Sequence, residues 1–274
     1  MSSHRSVAAS APAHRIDGVE VYVDGNGPRT VVMIHGWPDT YRLWDRTTGA
    51  LAPAFRCVRF TLPGFDVTQP ARPTSLADMT AWLLRVVDTV SPDEPVSLLL
   101  HDWGCVFGYE LALRHPARVR SVVAVDIGDH NSAEFARSLS KTARLGIMSY
   151  QLWLAFAWQL GGRLGNGMTR WLARALRSRA APELVGWPMN YPYAMQWFGL
   201  AGGLRDTAPV ELGCPLLYVY GKRKPFMFHS PAWLAALAAR KGCAVHGLAT
   251  GHWAMVDEPD AFQRCVADWL ATAP

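Results

Sequence analysis

Short apolar runs rich in β-branched residues recur along this chain with helical sequence between them, and that alternation constrains the fold more than any other feature. Residues 29–34, 56–62, 96–100, 119–125, 215–220 and 244–248 read as strands bounded by Gly, Pro or Asp, and residues 19–23 alternate polar and apolar positions as an edge strand does. Between them, residues 41–51, 76–90, 103–114, 231–240 and 259–270 carry apolar side chains at helical spacing, with helix starts marked at Thr74-Ser75 and Ser230. Continuously apolar strands alternating with helices predict an α/β fold, a mostly parallel sheet covered by helices on both faces. The rhythm breaks once. Residues 131–206 hold no strand signal, only Trp- and Arg-rich helical sequence interrupted by Gly and Pro. The expected organisation is a core of residues 16–131 and 207–274, a helical cap of residues 132–206 inserted into it, and a disordered N-terminus of residues 1–15.

Composition narrows the classes. Half of the 274 residues are hydrophobic and 18% are charged, which excludes a disordered or collagen-like chain and leaves ample apolar surface for one large core. The net charge of +5 is concentrated between 133 and 206, where nine Lys or Arg face three acids. Only four of the 27 cations are Lys and there is no tight basic run, so these arginines read as a solvated helical face and no nucleic-acid partner is expected. Five scattered cysteines without a CxxC pair (Cys57, Cys105, Cys214, Cys243, Cys265) read as small core residues in a reducing, cytoplasmic compartment. Residues 145–162 carry no charge, but Ser149, Tyr150, Gln151, Gln159 and three glycines argue for a buried helix and turn, not a membrane span.

In such sheets, reactive groups gather where strands end at their carboxyl edge. After residues 96–100 comes His101-Asp102-Trp103-Gly104 and then a helix, the strand–corner–helix setting that lifts a nucleophile above the sheet. A carboxylate at that corner displaces leaving groups at saturated carbon and forms an alkyl ester; the alternative is a helix N-cap. After residues 29–34, His35-Gly36-Trp37-Pro38 turns a backbone N–H, that of Trp37, toward the same edge, where it and the Trp103 N–H make an oxyanion hole. Near the C-terminus, Gly251-His252-Trp253 follows the last strand, so His252 stands downstream of the nucleophile corner in the order of a catalytic base. His101, next to the corner, is expected to point away.

His35–Pro38, His101–Gly104 and Gly251–Trp253, with Leu62-Pro63-Gly64-Phe65-Asp66, resemble the motifs of the α/β-hydrolase superfamily in its epoxide hydrolase and haloalkane dehalogenase branch. The resemblance covers nearly the whole chain and implies an Asp nucleophile, a cap over the core, and neither metal nor organic cofactor. Two positions depart from the pattern. Leu100 stands where the family usually has Gly, which crowds a strained turn. The strand at 215–220 is followed by Gly221-Lys222-Arg223-Lys224-Pro225, without the carboxylate that many members use to orient the His. The family's other position for that acid falls on Asp126, with Asp129 second.

The leaving group decides between the two activities. An alkoxide leaving an epoxide needs a proton donor, whereas a halide needs only N–H donors. Tyr150, in Met148-Ser149-Tyr150-Gln151-Leu152, resembles the first ring-opening tyrosine of soluble epoxide hydrolases, and Tyr193 (with Tyr191 as the alternative) the second. The resemblance therefore implies an epoxide hydrolase with Asp102, His252, Asp126, Tyr150 and Tyr193 as catalytic residues. Its substrate is a small to medium apolar molecule in a pocket that includes His35, Pro38, Gln151, Tyr191, Trp197 and Trp253. The alternatives are a haloalkane dehalogenase with the same triad, for which Trp37 replaces a halide-binding Asn, and a non-catalytic binding protein on the same fold. A homodimer is left open.

Overall fold

The computed structural model describes residues 11–273. In chain order, β1 (His14–Ile16), β2 (Val19–Asp24) and β3 (Thr30–Ile34) are followed by α1 (Asp45–Leu51), β4 (Arg56–Phe60), α2 (Leu76–Val90), β5 (Val96–His101), α3 (Trp103–Arg114) and β6 (Val119–Val125). Then come four helices in succession, α4 (Ala133–Ser138), α5 (Lys141–Leu160), α6 (Gly162–Ala175) and α7 (Tyr191–Phe198), before β7 (Leu216–Gly221), α8 (Pro231–Ala239), β8 (Ala244–Leu248), α9 (Ala254–Asp257) and α10 (Pro259–Thr272). The eight strands form one sheet in the order β1-β2-β4-β3-β5-β6-β7-β8, antiparallel at β1-β2-β4 and parallel from β4 onward.

Each element follows from local chemistry. β3 is Thr-Val-Val-Met-Ile with every residue buried, as a strand covered on both faces must be. α2 starts where Ser75 accepts the Asp78 N–H, and its buried Leu76, Met79, Leu83, Val86 and Val90 lie on one face. α10 covers the opposite face of the sheet through Phe262, Val266 and Leu270, four residues apart. α3 lies under both the sheet and the inserted helices and is buried from Trp103 to Ala112.

The structure departs from expectation at the chain start and in the insertion. Residues 1–10 of the segment expected to be disordered lie outside the described residues, whereas His14 and Arg15 pair with β2 as an edge strand. A three-residue strand leaves too short a pattern to read. The uncharged stretch 145–162 is helix and turn, but it is not buried: only Leu154, Ala155 and Ala157 of α5 are, and its outer face carries apolar side chains into solvent. Among the described residues, no helix is long and apolar enough to cross a membrane. Cys57 and Cys105 are core residues, while Cys214, Cys243 and Cys265 are only half-buried; all five are free thiols.

Candidate active site

The register of the central strands brings the chemistry together. Ile34 sits beside Leu100, and His101 beside Val125, so the chain leaves β3, β5 and β6 at one level with Trp37, Asp102 and Asp126 just beyond. Asp102 occupies the one-residue corner with φ +52° and ψ −123°, a left-handed conformation unusual for a non-glycine residue. It is not a side-chain N-cap. Such a backbone costs energy and persists where the surroundings fix it. Gly36 helps do so: a Cβ there would stand 2.4 Å from both Asp102 Oδ1 and the Trp103 nitrogen. Leu100 finds its room on α3, where a Cβ at Gly108 would lie 2.4 Å from Leu100 Cδ2. The crowding expected at Leu100 is thus relieved by the absence of a side chain one helical turn into α3.

Asp102 Oδ1 accepts the Trp37 N–H at 2.7 Å, and the Trp103 N–H also stabilises the carboxylate. Its other oxygen, Oδ2, stands 3.4 Å from His252 Nε2. Behind the imidazole, His252 Nδ1 meets Asp126 Oδ2 in a short contact, and Asp126 is fully buried. Asp126 Oδ1 accepts from the Gly221 N–H at 3.1 Å and from Lys224 Nζ at 2.5 Å. Asp129 does not reach His252. Its oxygens accept from Ser230 N and Oγ at 2.7 Å each and from Ser132 Oγ at 2.6 Å, which ties the start of the insertion to the N-terminus of α8.

The electrostatics follow from this chain of charges. Burial works to lower the His252 pKa, but the Asp126 and Asp102 carboxylates outweigh it and hold it at about 9. Burial works to raise the Asp126 carboxyl, and Lys224 and His252 drive it well below the ordinary carboxylate range. Asp102 is likewise held low against burial, chiefly by His252. His101, fully buried behind the imidazole with its Nε2 3.1 Å from the His252 carbonyl, is pushed down to about 3 by desolvation and is neutral.

Tyr150 on α5 and Tyr193 on α7 look down on Asp102, with ring centroids 6.2 Å apart, and Tyr193 packs edge-on against Trp37 and Trp103. Burial raises both phenols above their ordinary range, so both keep their protons. Asp102, Tyr150 and Tyr193 line two cavities, of about 480 Å³ and 390 Å³. Trp253 also lines the first and Gln151 the second.

Four residues expected in the pocket lie elsewhere. His35 is fully buried, accepting the Leu62 N–H at 2.9 Å, so it secures the turn after β3. Pro38 is buried behind that turn and lines neither cavity. Tyr191 is fully buried between Phe65 and Trp158. Trp197 donates its indole N–H to Gln151 at 3.1 Å and stands behind it. Sequence reasoning also missed two residues. Lys224 stands in the sequence only as part of a segment lacking an acid, and Asn190, whose Oδ1 accepts the Trp37 indole N–H at 2.8 Å, carries no signal at all.

Comparison with known proteins agrees with this architecture. The alpha/beta hydrolase fold family model matches residues 29–168. The chain is 37% identical over 158 residues to the probable oxidoreductase EphD of Mycobacterium tuberculosis, covering 48% of this chain and 26% of that one, so the match spans about a quarter of the relative's length. It is 28% identical over 234 residues to a cis-3-alkyl-4-alkyloxetan-2-one decarboxylase of Xanthomonas campestris, covering 78% and 74% of the two chains. Among solved structures, an epoxide hydrolase of Bacillus megaterium in complex with an inhibitor superposes with a TM-score of 0.72 at 18% identity, covering 94% of this chain and 99% of that one.

Proposed function

The chain belongs to the alpha/beta hydrolase fold family, and on that premise we propose that it is an epoxide hydrolase acting through an alkyl ester on Asp102. Asp102 Oδ2, the oxygen outside the N–H cradle, attacks an epoxide carbon of a small to medium apolar substrate. The C–O bond of the ring breaks, and Tyr150 and Tyr193 donate to the departing oxygen, which leaves as a hydroxyl. Ester formation removes the negative charge of Asp102, one of the two charges that hold His252 protonated. The imidazole then releases its proton, which returns to the tyrosinate left by ring opening. Its free Nε2 takes a proton from water, with Asp126 fixing the tautomer through Nδ1; that proton later goes to the departing diol oxygen. Water attacks the ester carbonyl, and the oxyanion forms on Oδ1, which already accepts the Trp37 N–H, with the Trp103 N–H as the second donor. Collapse releases the diol and restores the carboxylate.

The observation that carries this reading is the pair of protonated tyrosines lining the same cavities as Asp102. A haloalkane dehalogenase would instead need two free N–H donors there. Trp103, which lines the second cavity, could supply one. The Trp37 and Trp253 indoles are committed to Asn190 and Asp39, and none of the five tryptophans of the insertion lines either cavity, so the second is missing. The test is intact-protein mass spectrometry of His252→Ala after exposure to epoxides, bromoalkanes and a cis-3,4-dialkyl oxetan-2-one. An adduct on Asp102 with epoxides alone is the expected result, and an adduct only with bromoalkanes transfers the reading to dehalogenation. An adduct with the oxetanone alone would move the reading to the activity named for the Xanthomonas relative.

A further inference from the structure

Every large hydrophobic side chain exposed among the described residues lies between positions 145 and 198, in the inserted helices. Leu145, Trp153, Phe156 and Leu160 recur on one face of α5, and Leu164 (70% exposed) and Trp171 (57%) lie two turns apart on α6. Trp153 and Trp171 rings meet at 5.1 Å and Phe156 and Phe198 at 5.4 Å, which joins α5, α6 and α7 into one apolar surface. A monomer rarely leaves so concentrated a patch without a use.

Charge identifies the occupant. Nine cations against three acids fall in this segment, and among the described residues its only ion pair is Arg137–Glu134. Lys141, Arg163, Arg174, Arg177 and Arg179 flank the apolar face without an acidic partner. A second copy of the chain, docked face to face about a two-fold axis, would bring these cations against their own kind. We propose that this face instead seats the protein peripherally on an anionic bilayer, its Trp, Phe and Leu side chains in the interfacial layer and its cations among the headgroups.

The seating stands whether or not Asp102 is a nucleophile. A second consequence rests on the catalytic reading above: Leu176, Arg177 and Arg179 line the larger Asp102 cavity, so its mouth borders the lipid-facing surface. An apolar substrate dissolved in the bilayer then reaches Asp102 without crossing bulk water.

Cosedimentation of the full chain with vesicles tests the seating. Phosphatidylcholine vesicles with about one quarter phosphatidylglycerol are expected to bind at least about tenfold more tightly than phosphatidylcholine alone, with affinity falling as salt rises. Arg163→Ser with Arg174→Ser should weaken binding at least about tenfold by loss of charge, and Phe156→Ser with Leu164→Ser by a similar factor through loss of apolar contact. All four positions are exposed, and far-UV circular dichroism checks that the variants are folded. No binding to anionic vesicles at low salt, equal binding to both vesicle types, or insensitivity to both double variants would overturn the proposal. So would a dimer in sedimentation equilibrium that Phe156→Ser with Leu164→Ser dissolves while vesicles remain unbound.

Discussion

Lys224 holds its ammonium 2.5 Å from Asp126 Oδ1, while the other oxygen of the same buried carboxylate meets the His252 imidazole. Lys224, three residues beyond the end of β7, is a cation that stabilises an acid supplied from the end of β6. Lys224→Met keeps the volume and deletes the charge. Removing one partner of a buried pair costs about 3–5 kcal/mol, and the lower end applies because His252 and the Gly221 N–H remain. Asp126 becomes more basic without the cation, so the pH at which His252 loses its proton moves up. Chemical denaturation and the pH profile of ester hydrolysis measure the two effects; an unchanged profile would show that Lys224 acts on stability alone.

The same charges fix how stability depends on pH. His252, held at about 9 against about 6.5 in the unfolded chain, stabilises fully below 6.5, and that contribution is lost as pH rises through 9. It amounts to at most about 3 kcal/mol. Asp126, held low, contributes above the unfolded carboxylate value near 4, and that part disappears as pH falls below it. Urea midpoints should therefore fall from about 6.5 toward 9. They should also fall below about 6.5, where buried His35, His101 and His229, pushed down to about 4, 3 and 4 by desolvation, stay neutral while the unfolded chain takes up protons. In His252→Asn the alkaline fall should vanish; if it persists unchanged, another group is responsible.

Asp126→Asn and Asp129→Asn should separate chemistry from architecture. An amide at 126 can donate to His252 Nδ1, which moves the imidazole proton to Nε2 and removes the lone pair that takes a proton from water. Loss of ester hydrolysis by up to about 10⁴-fold is expected, with ester formation little changed, so the alkyl-enzyme accumulates. Asp129→Asn breaks the ties to Ser132 and Ser230 and should lower the melting temperature while the ester still turns over. Accumulation in Asp129→Asn instead would reverse the assignment.

The sheet was legible because six strands are continuous apolar runs with Gly, Pro or Asp at their ends and a seventh alternates, and β6 and β8 match their expected bounds. Asp102, Trp37, Asp126 and His252 were legible for a related reason: each follows a strand, and a parallel sheet brings strand ends together. Pocket walls do not obey that rule. His35 and Pro38 sit next to an oxyanion N–H in sequence, yet the turn that presents the Trp37 N–H points their side chains into the core. Tyr191 and Tyr193 differ by two residues on α7, about 200° of helix, so only one of them faces the cavity. The burial of residues 145–162 was misjudged because an uncharged helix facing solvent has the composition of one facing a core.

Leu100 and Gly108 should behave as a coupled pair. Gly108→Ala places a methyl 2.4 Å from Leu100 Cδ2, and overpacking of this kind costs about 1–3 kcal/mol. Leu100→Ala leaves a cavity under the nucleophile corner and costs about 2–5 kcal/mol. The double variant should be more stable than the sum of the single losses predicts. Additive losses in a double-mutant cycle would show that Gly108 does not make the room Leu100 occupies.

The tyrosines carry the distinction between an epoxide and a halide. Expelling a bare alkoxide is far harder than expelling halide, so only the epoxide reaction requires the two hydroxyls that line the cavity with Asp102. A general acid contributes about 10²–10⁴-fold, and two donors on one oxygen partly cover for each other. Tyr193→Phe keeps the ring against Trp37 and Trp103, and Tyr150→Phe keeps the ring against Tyr193. Each single variant should slow alkylation of Asp102 by epoxides at least about tenfold, and the double variant should nearly abolish it. Melting temperatures should stay close to wild type, since each change removes only a hydroxyl. Stopped-flow tryptophan fluorescence or quenched mass spectrometry reads the alkylation rate. Epoxide opening at the wild-type rate in the double variant would remove the tyrosines from the mechanism and the epoxide reading with them.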